Sequence, residues 1–172
     1  MKQLLILSGK GGTGKTTIAS AFIRLSDVKA YADCDVDAPN LHLVMGRLPV
    51  PQKEDYYALP KAEINTELCI NCGQCIQNCR FKAITEGATY KVDPYRCEGC
   101  GVCELICTAG AISLKPAVAG ELILYADKGK VFSTAKLKVG SGTSGKLVAD
   151  VKKQMKSSAP NAELAIVDGS PG

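Results

Sequence analysis

The chain has 172 residues, 46% of them apolar and 5% aromatic, with no Trp and a formal charge of +4. That length fits one medium domain or two small ones, and so few rings argue against binding single-stranded nucleic acid by base stacking. No stretch reaches the roughly 18 apolar residues of a membrane span and no secretory segment is visible, so the dense cysteine spacing, which takes in eight of the nine cysteines, reads as metal ligation in a reducing, cytoplasmic setting rather than as disulfides.

In chain order, Gln3 to Leu7 reads as a buried parallel strand stopped by Ser8-Gly9. Lys15 to Leu25 reads as a helix with Ile18, Ala21, Phe22 and Leu25 on one face. Val28 to Asp33 reads as a second strand. Strand, glycine loop, helix, strand is the opening of an α/β nucleotide-binding sheet. Asn40 to Met45 reads as a short helix ended by Gly46 and two prolines. Its His42, the only histidine, reads as a helix-surface residue rather than a ligand. The texture changes near Pro60, where cysteines crowd and long helical periodicity disappears. After Pro116 it returns, with strands at Glu121 to Ala126 and Val131 to Leu137 and a flexible loop at Gly140 to Gly145. A helix follows at Lys146 to Lys156 with Leu147, Val148, Val151 and Met155 on one side. Leu164 to Asp168 is a last buried strand before Gly169-Ser170-Pro171-Gly172.

Between Ala62 and Pro116 lies an internal repeat. Cys69, Cys72, Cys75 and Cys79 recur as Cys97, Cys100, Cys103 and Cys107, shifted by 28 residues, and Ile64, Gly73 and Ala83-Ile84 recur as Val92, Gly101 and Ala111-Ile112. The spacing C-x2-C-x2-C-x3-C, twice over, is the bacterial ferredoxin pattern, in which the fourth cysteine ligates the other cluster. Three cysteines on a tight loop reach three irons of one cube, and the fourth leaves the loop. One 4Fe–4S cluster is therefore expected on Cys69, Cys72, Cys75 and Cys107, and a second on Cys97, Cys100, Cys103 and Cys79. Gly73 and Gly101 let backbone amides approach the sulfides. Zinc sites use two C-x2-C pairs with a longer spacer, for which six short intervals and a repeat would be wasted. Arg80 and Thr108 stand where many such proteins carry Pro, which leaves the stiffness of that turn open. Two occupied sites carry roughly −2 each when oxidised. That brings the chain near neutrality and removes the charge argument for a nucleic-acid partner.

Gly9-Lys10-Gly11-Gly12-Thr13-Gly14-Lys15-Thr16 matches the phosphate-loop pattern G-x-x-x-x-G-K-S/T without a mismatch. With Thr17 it forms the candidate nucleotide-binding segment. Its N–H groups and the helix N-terminus suit phosphate; Lys15 is expected on the β- and γ-phosphates and Thr16 on magnesium. KGGTGKTT resembles the deviant Walker A motif of the MinD/ParA/nitrogenase-iron-protein class of ATPases. Asp33-Cys34-Asp35-Val36-Asp37-Ala38-Pro39-Asn40 resembles the switch I segment of that class, and Asp168 to Gly172 its D-x-x-P-G segment. Ser144-Gly145-Lys146-Leu147-Val148 also looks like a segment of that family. Taken together, nearly all of the chain resembles MinD-superfamily P-loop ATPases with an inserted ferredoxin domain. The resemblance implies that Lys10 crosses a dimer interface to the partner's phosphates, that Asp33 and Asp168 hold Mg2+ through water, and that Asp35 orients the attacking water. Lys10 by itself also reads as an ordinary exposed lysine. Cys34 reads as a buried structural thiol or a redox-sensitive neighbour of the nucleotide.

The expected fold is thus α/β: an incomplete P-loop NTPase parallel sheet from residues 1–60 and 117–172, with a small α+β ferredoxin-like domain inserted at 61–116. The sheet of this class continues beyond the D-x-x-P-G segment, so the chain reads as an N-terminal fragment, itself inactive, of a longer protein. The full-length protein is expected to be an ATP-dependent homodimer. Three functions compete: an ATPase that gates electron flow through two clusters to a redox partner, a carrier that delivers clusters or electrons to an accepting protein, and a spatial regulator. The last needs a membrane-targeting or DNA-binding element, and none is visible. The eight-cysteine motif resembles permanent ferredoxin sites, which favours electron transfer.

Overall fold

A computed structural model describes residues 1–142 and 144–170 of the chain. They divide into two units, Met1–Tyr56 with Gly120–Lys138 and Thr143–Gly172, and Tyr57–Ala119 with Val139–Gly142. Among the described residues no helix is long and apolar enough to cross a membrane.

The first unit is built on a six-stranded sheet. Its strands are β1 (Lys2–Ile6), β2 (Ala30–Asp33), β3 (Gln52–Tyr57), β8 (Val118–Asp127), β9 (Lys130–Leu137) and β10 (Leu164–Asp168), in spatial order β1-β10-β2-β9-β8-β3. β1, β10, β2 and β9 run parallel, and β8 returns antiparallel to β9. Helix α1 (Lys15–Ser26) and the one-turn α2 (Leu41–Val44) close one face, where Ala19, Ile23, Tyr31, Leu41, Phe132 and Ile166 form a core. Tyr31 and Tyr125 stack on Phe132 with centroids 4.9 and 5.3 Å apart. Side chains alternate along a strand, so Ser133 faces the other side. There its hydroxyl donates to Val151 O of helix α5 (Ser144–Ser158) at 3.0 Å. Leu147, Val151 and Met155 of α5 are fully buried.

Two sequence expectations change here, and β3 is a strand that the sequence reading did not name: five of its six positions are exposed, so it carries no apolar signal. α1 buries Ala19 and Ile23, while Ile18, Phe22 and Leu25 of the expected core face stand 51, 48 and 87% exposed. The helix carries two adjacent apolar stripes, Ile18 with Phe22 and Ala19 with Ile23, both at i, i+4 spacing; its seat on β10 selects the one with the smaller residue. β1 is parallel as expected but is an edge strand, with Leu4 and Leu5 41 and 50% exposed. Within the expected loop at Gly140 to Gly145, Thr143 lies outside the described residues; so do Pro171 and Gly172 of the D-x-x-P-G segment.

The second unit contains two crossed ribbons. β4 (Lys61–Ile64) pairs antiparallel with β7 (Ile112–Lys115), and β5 (Ile84–Thr85) with β6 (Lys91–Val92). Each ribbon joins the start of one repeat to the end of the other. Two single-turn helices, α3 (Gln74–Gln77) and α4 (Val102–Leu105), start at Gly73 and Gly101. The 28-residue repeat is also a repeat of backbone conformation: Asn71 and Gly99, Gly73 and Gly101, and Lys82 and Gly110 all have positive φ. Positive φ is what Gly73 and Gly101 are needed for. At Gly99 a Cβ would also lie 2.1 Å from Pro60 O.

Candidate functional site

Two groups of residues carry the chemistry, one in each unit. In the second unit the strand crossing places the fourth cysteine of each repeat. Cys79 precedes β5, which pairs with β6 at the head of the second repeat; Cys107 precedes β7, which pairs with β4 at the head of the first. Backbone bonds follow the same exchange, Asn65 N to Ala111 O at 2.7 Å and Asp93 N to Ala83 O at 2.6 Å. As a result Cys79 lines one cavity together with Cys97, Cys100 and Cys103, between Ala62, Ile84, Val92 and Leu114. This is the crossed set expected for the second cluster. All nine cysteines are free thiols.

The sulfurs are also served by amides. Ala83 N–H donates to Cys79 Sγ and Ala111 N–H to Cys107 Sγ, each at 3.3 Å, and Ala62 N–H donates to Cys97 Sγ at 3.5 Å. Lys61 Nζ donates to the Cys97 carbonyl. Burial, and then the neighbouring sulfurs against backbone donors, pushes the Cys75 and Cys103 thiols above their ordinary range. A buried thiol gives up its proton to a metal, not to water, so loading releases protons. No three His, Cys, Asp or Glu side chains among the described residues close on a point the size of one ion. A cube needs its ligands spread over four irons, and a cavity ringed by four thiols in a mainly apolar shell fits that group.

In the first unit residues 8 and 10–17, with Asp35 and Asn40, surround a cavity of about 310 Å³. Gly9 opens this loop. Gly12 and Gly14 have φ of 75 and 83°, turning the loop into α1, the helix that begins at Lys15. Ser8 Oγ and Thr13 Oγ1 donate to Lys10 O at 2.9 and 3.4 Å, fixing that peptide, whereas the Lys10 ammonium makes no hydrogen bond or ion pair among the described residues. Lys15 Nζ bonds Asp168 Oδ1 at 3.2 Å, with side chains 9 and 1% exposed. The other oxygen, Asp168 Oδ2, is buried without a partner. Thr16 Oγ1 donates to Asn40 Oδ1 at 2.9 Å, and Thr17 lies on the same wall. Asn40 is a residue to which the sequence assigned no role; its only signal was its place at the end of the switch-like segment.

Asp33 and Asp168 sit side by side at the C-terminal ends of β2 and β10, but their surroundings differ. Asp33 Oδ1 accepts the N–H of Asp35 at 3.0 Å, and Oδ2 accepts those of Asn40 and Leu41 at 3.0 and 2.9 Å. Burial raises its carboxyl above the usual range while these three donors pull it back. Asp33 thus clamps segment 35–41, and Asp168 is the carboxylate with an oxygen left over. Asp35 Oδ1 accepts Ala38 N–H at 3.4 Å and lines the cavity. Cys34 between them is buried, its thiol pushed up to about 11 by burial and by the Asp33 charge. Chemically, the loop amides and Lys15 suit an oxyanion, and the unpaired oxygen of Asp168 suits a cation beside it.

Comparison with known proteins gives two kinds of match. The 4Fe-4S binding domain family matches residues 62–85 and 90–113, the two repeats. A 7Fe ferredoxin of Hydrogenibacillus schlegelii is 35% identical over 74 residues, 41% of this chain and 95% of that protein. An uncharacterized protein of Methanocaldococcus jannaschii is 38% identical over 178 residues, 99% of this chain. The chain spans 60% of the length of that relative.

Proposed function

Because the chain belongs, through residues 62–113, to the ferredoxin-type 4Fe-4S binding family, we propose that its iron–sulfur unit transfers electrons under the control of a nucleotide held by the first unit. The observation that carries this is one chain with two sites: the cavity that gathers Cys79 with the second-repeat cysteines, and the loop cavity lined by Lys15, whose ion-pair partner Asp168 keeps one oxygen unpaired.

Bound on the crossed cysteine sets, each cluster supplies a one-electron carrier. The chain's own residues set how readily it changes charge. Amide bonds to Cys79, Cys97 and Cys107 stabilise added negative charge, and the apolar shell opposes it. In the first unit, read as a P-loop NTPase sheet, Lys15 would hold a phosphate oxygen of ATP, and Asp168 and Thr16 would hold the accompanying Mg2+. Segment 35–41 stays anchored by Asp33, which holds Asp35 at the cavity wall, where it can orient water. Lys10, whose ammonium is uncommitted among the described residues, is left for a second copy of the protein. The iron–sulfur unit is entered from β3 and left into β8, neighbouring strands of the sheet, so the two excursions share one root.

The test is a redox titration of the protein with and without Mg-ATP, paired with nucleotide affinity for oxidised and reduced samples. ATP is expected to shift at least one reduction potential, and reduction to shift ATP affinity by the same free energy. Nucleotide binding with unchanged potentials would reduce the coupling to a tether. Absence of nucleotide binding would leave a ferredoxin unit on an unrelated sheet.

A further inference from the structure

On the α1 face of the sheet, away from the phosphate loop's own cavity, lies a cleft of about 510 Å³ that the proposed function does not use. Its size falls in the range of small-molecule sites. It opens near the C-terminal ends of β2 and β9, the end of a parallel sheet where ligands usually bind. Ile123 and Tyr125 of β8 form an apolar wall. At the base is Thr134 of β9, 2% exposed, whose hydroxyl has no hydrogen-bond partner. Leaving a hydroxyl unpaired in the interior is unfavourable, and here the orphan lies just beneath the wall of a space large enough for a ligand. Lys136, two residues on, projects from the same side of the strand.

The charges around this hydroxyl sort into two kinds. At the rim Lys53 and Glu121 neutralise each other at 3.2 Å. The side chains of Lys136, Asp37 and His42 make no hydrogen bond or ion pair among the described residues. The strand wall therefore offers an ammonium and a buried hydroxyl, and the loop wall a carboxylate and an imidazole. A simple anion would meet Asp37 uncompensated, and a simple cation Lys136. A small molecule bearing both charges satisfies both walls, its carboxylate on Lys136 and Thr134 and its ammonium on Asp37, with a carbon skeleton against Ile123 and Tyr125. We propose that this cleft is a binding site for a free α-amino acid. The loop wall continues from Asp35, which lines the phosphate-loop cavity, so occupants of the two cavities bear on one segment.

The test is calorimetric titration of the anaerobically assembled 172-residue chain with the proteinogenic amino acids, one at a time. It is followed by the des-amino and decarboxylated analogues of the best binder. At least one amino acid is expected to bind saturably, with each single-charge analogue about tenfold weaker or more, the loss expected when a charged partner is left unpaired. Thr134→Val, which keeps the shape, and Lys136→Met are each expected to weaken binding by about tenfold while leaving the visible cluster absorption unchanged. No saturable binding by any amino acid, analogues that bind as tightly, or variants that bind like the parent would each overturn the assignment.

Discussion

At the scale of single residues the Lys15–Asp168 pair decides most. Both side chains are buried, and a buried ion pair broken on one side leaves an uncompensated charge. Lys15→Met is therefore expected to destabilise the chain by about 3 kcal/mol, read from urea denaturation, as well as abolishing ATP binding. Adding Asp168→Asn should recover most of the stability and none of the binding; if the double variant is as unstable as the single one, the pair is not what Lys15 contributes. The motif made Lys15 legible in sequence, but not its resting partner, which lies 153 positions away. Cys34 gives a second test. With its thiol pushed up to about 11, the reactive thiolate is scarce at neutral pH and appears only as pH rises toward that value. Iodoacetamide labelling of the cluster-loaded chain should leave Cys34 unmodified at pH 7, traced by peptide mass. Fast labelling there would show a lowered thiol and an accessible site.

At the scale of elements the strand pairing between repeats is the basis of the crossed ligation proposed above. Cys79 and Cys107 each sit just before a strand that pairs with the other repeat. Cys79→Ser is expected to damage the cluster on Cys97, Cys100 and Cys103, and Cys107→Ser the one on Cys69, Cys72 and Cys75. Site-resolved paramagnetic NMR distinguishes them. Loss within each cysteine's own repeat would mean that the ribbons do not set ligation. The repeat, its spacing and the ligand residues were plain in sequence because cysteine spacing is a local property. The positive φ at Asn71 and Lys82 was not, since glycine stands at both matching positions, 99 and 110, and nothing in Asn71 or Lys82 alone requires that conformation. Helix α1 shows the opposite case. Its extent was readable from the loop glycine and the apolar run, yet its buried face was not, because a helix with two adjacent apolar stripes leaves the choice to whatever it packs against.

For the whole molecule the first measurement is composition. Anaerobically assembled protein is expected to be brown and to hold about eight irons per chain, the sum of two four-iron sites, by iron and sulfide assay. An iron count near four would leave one cysteine set without a cluster, and stoichiometric zinc would replace the reading altogether. Legible in the sequence alone were the cysteine repeat, the phosphate-loop pattern and five of the six strands of the main sheet, because each depends on side-chain chemistry or periodicity within a few residues. Only the packed structure shows which aspartate keeps a free oxygen, since Asp33 and Asp168 end adjacent strands but three backbone N–H groups reach Asp33 while the Asp168 carboxylate meets only Lys15 among the described residues. It also brings Thr134 of β9 to one cleft with Asp37 and His42, from a distant loop of the chain. Such gatherings depend on strand order and on the path of a loop across the sheet, which no local pattern encodes.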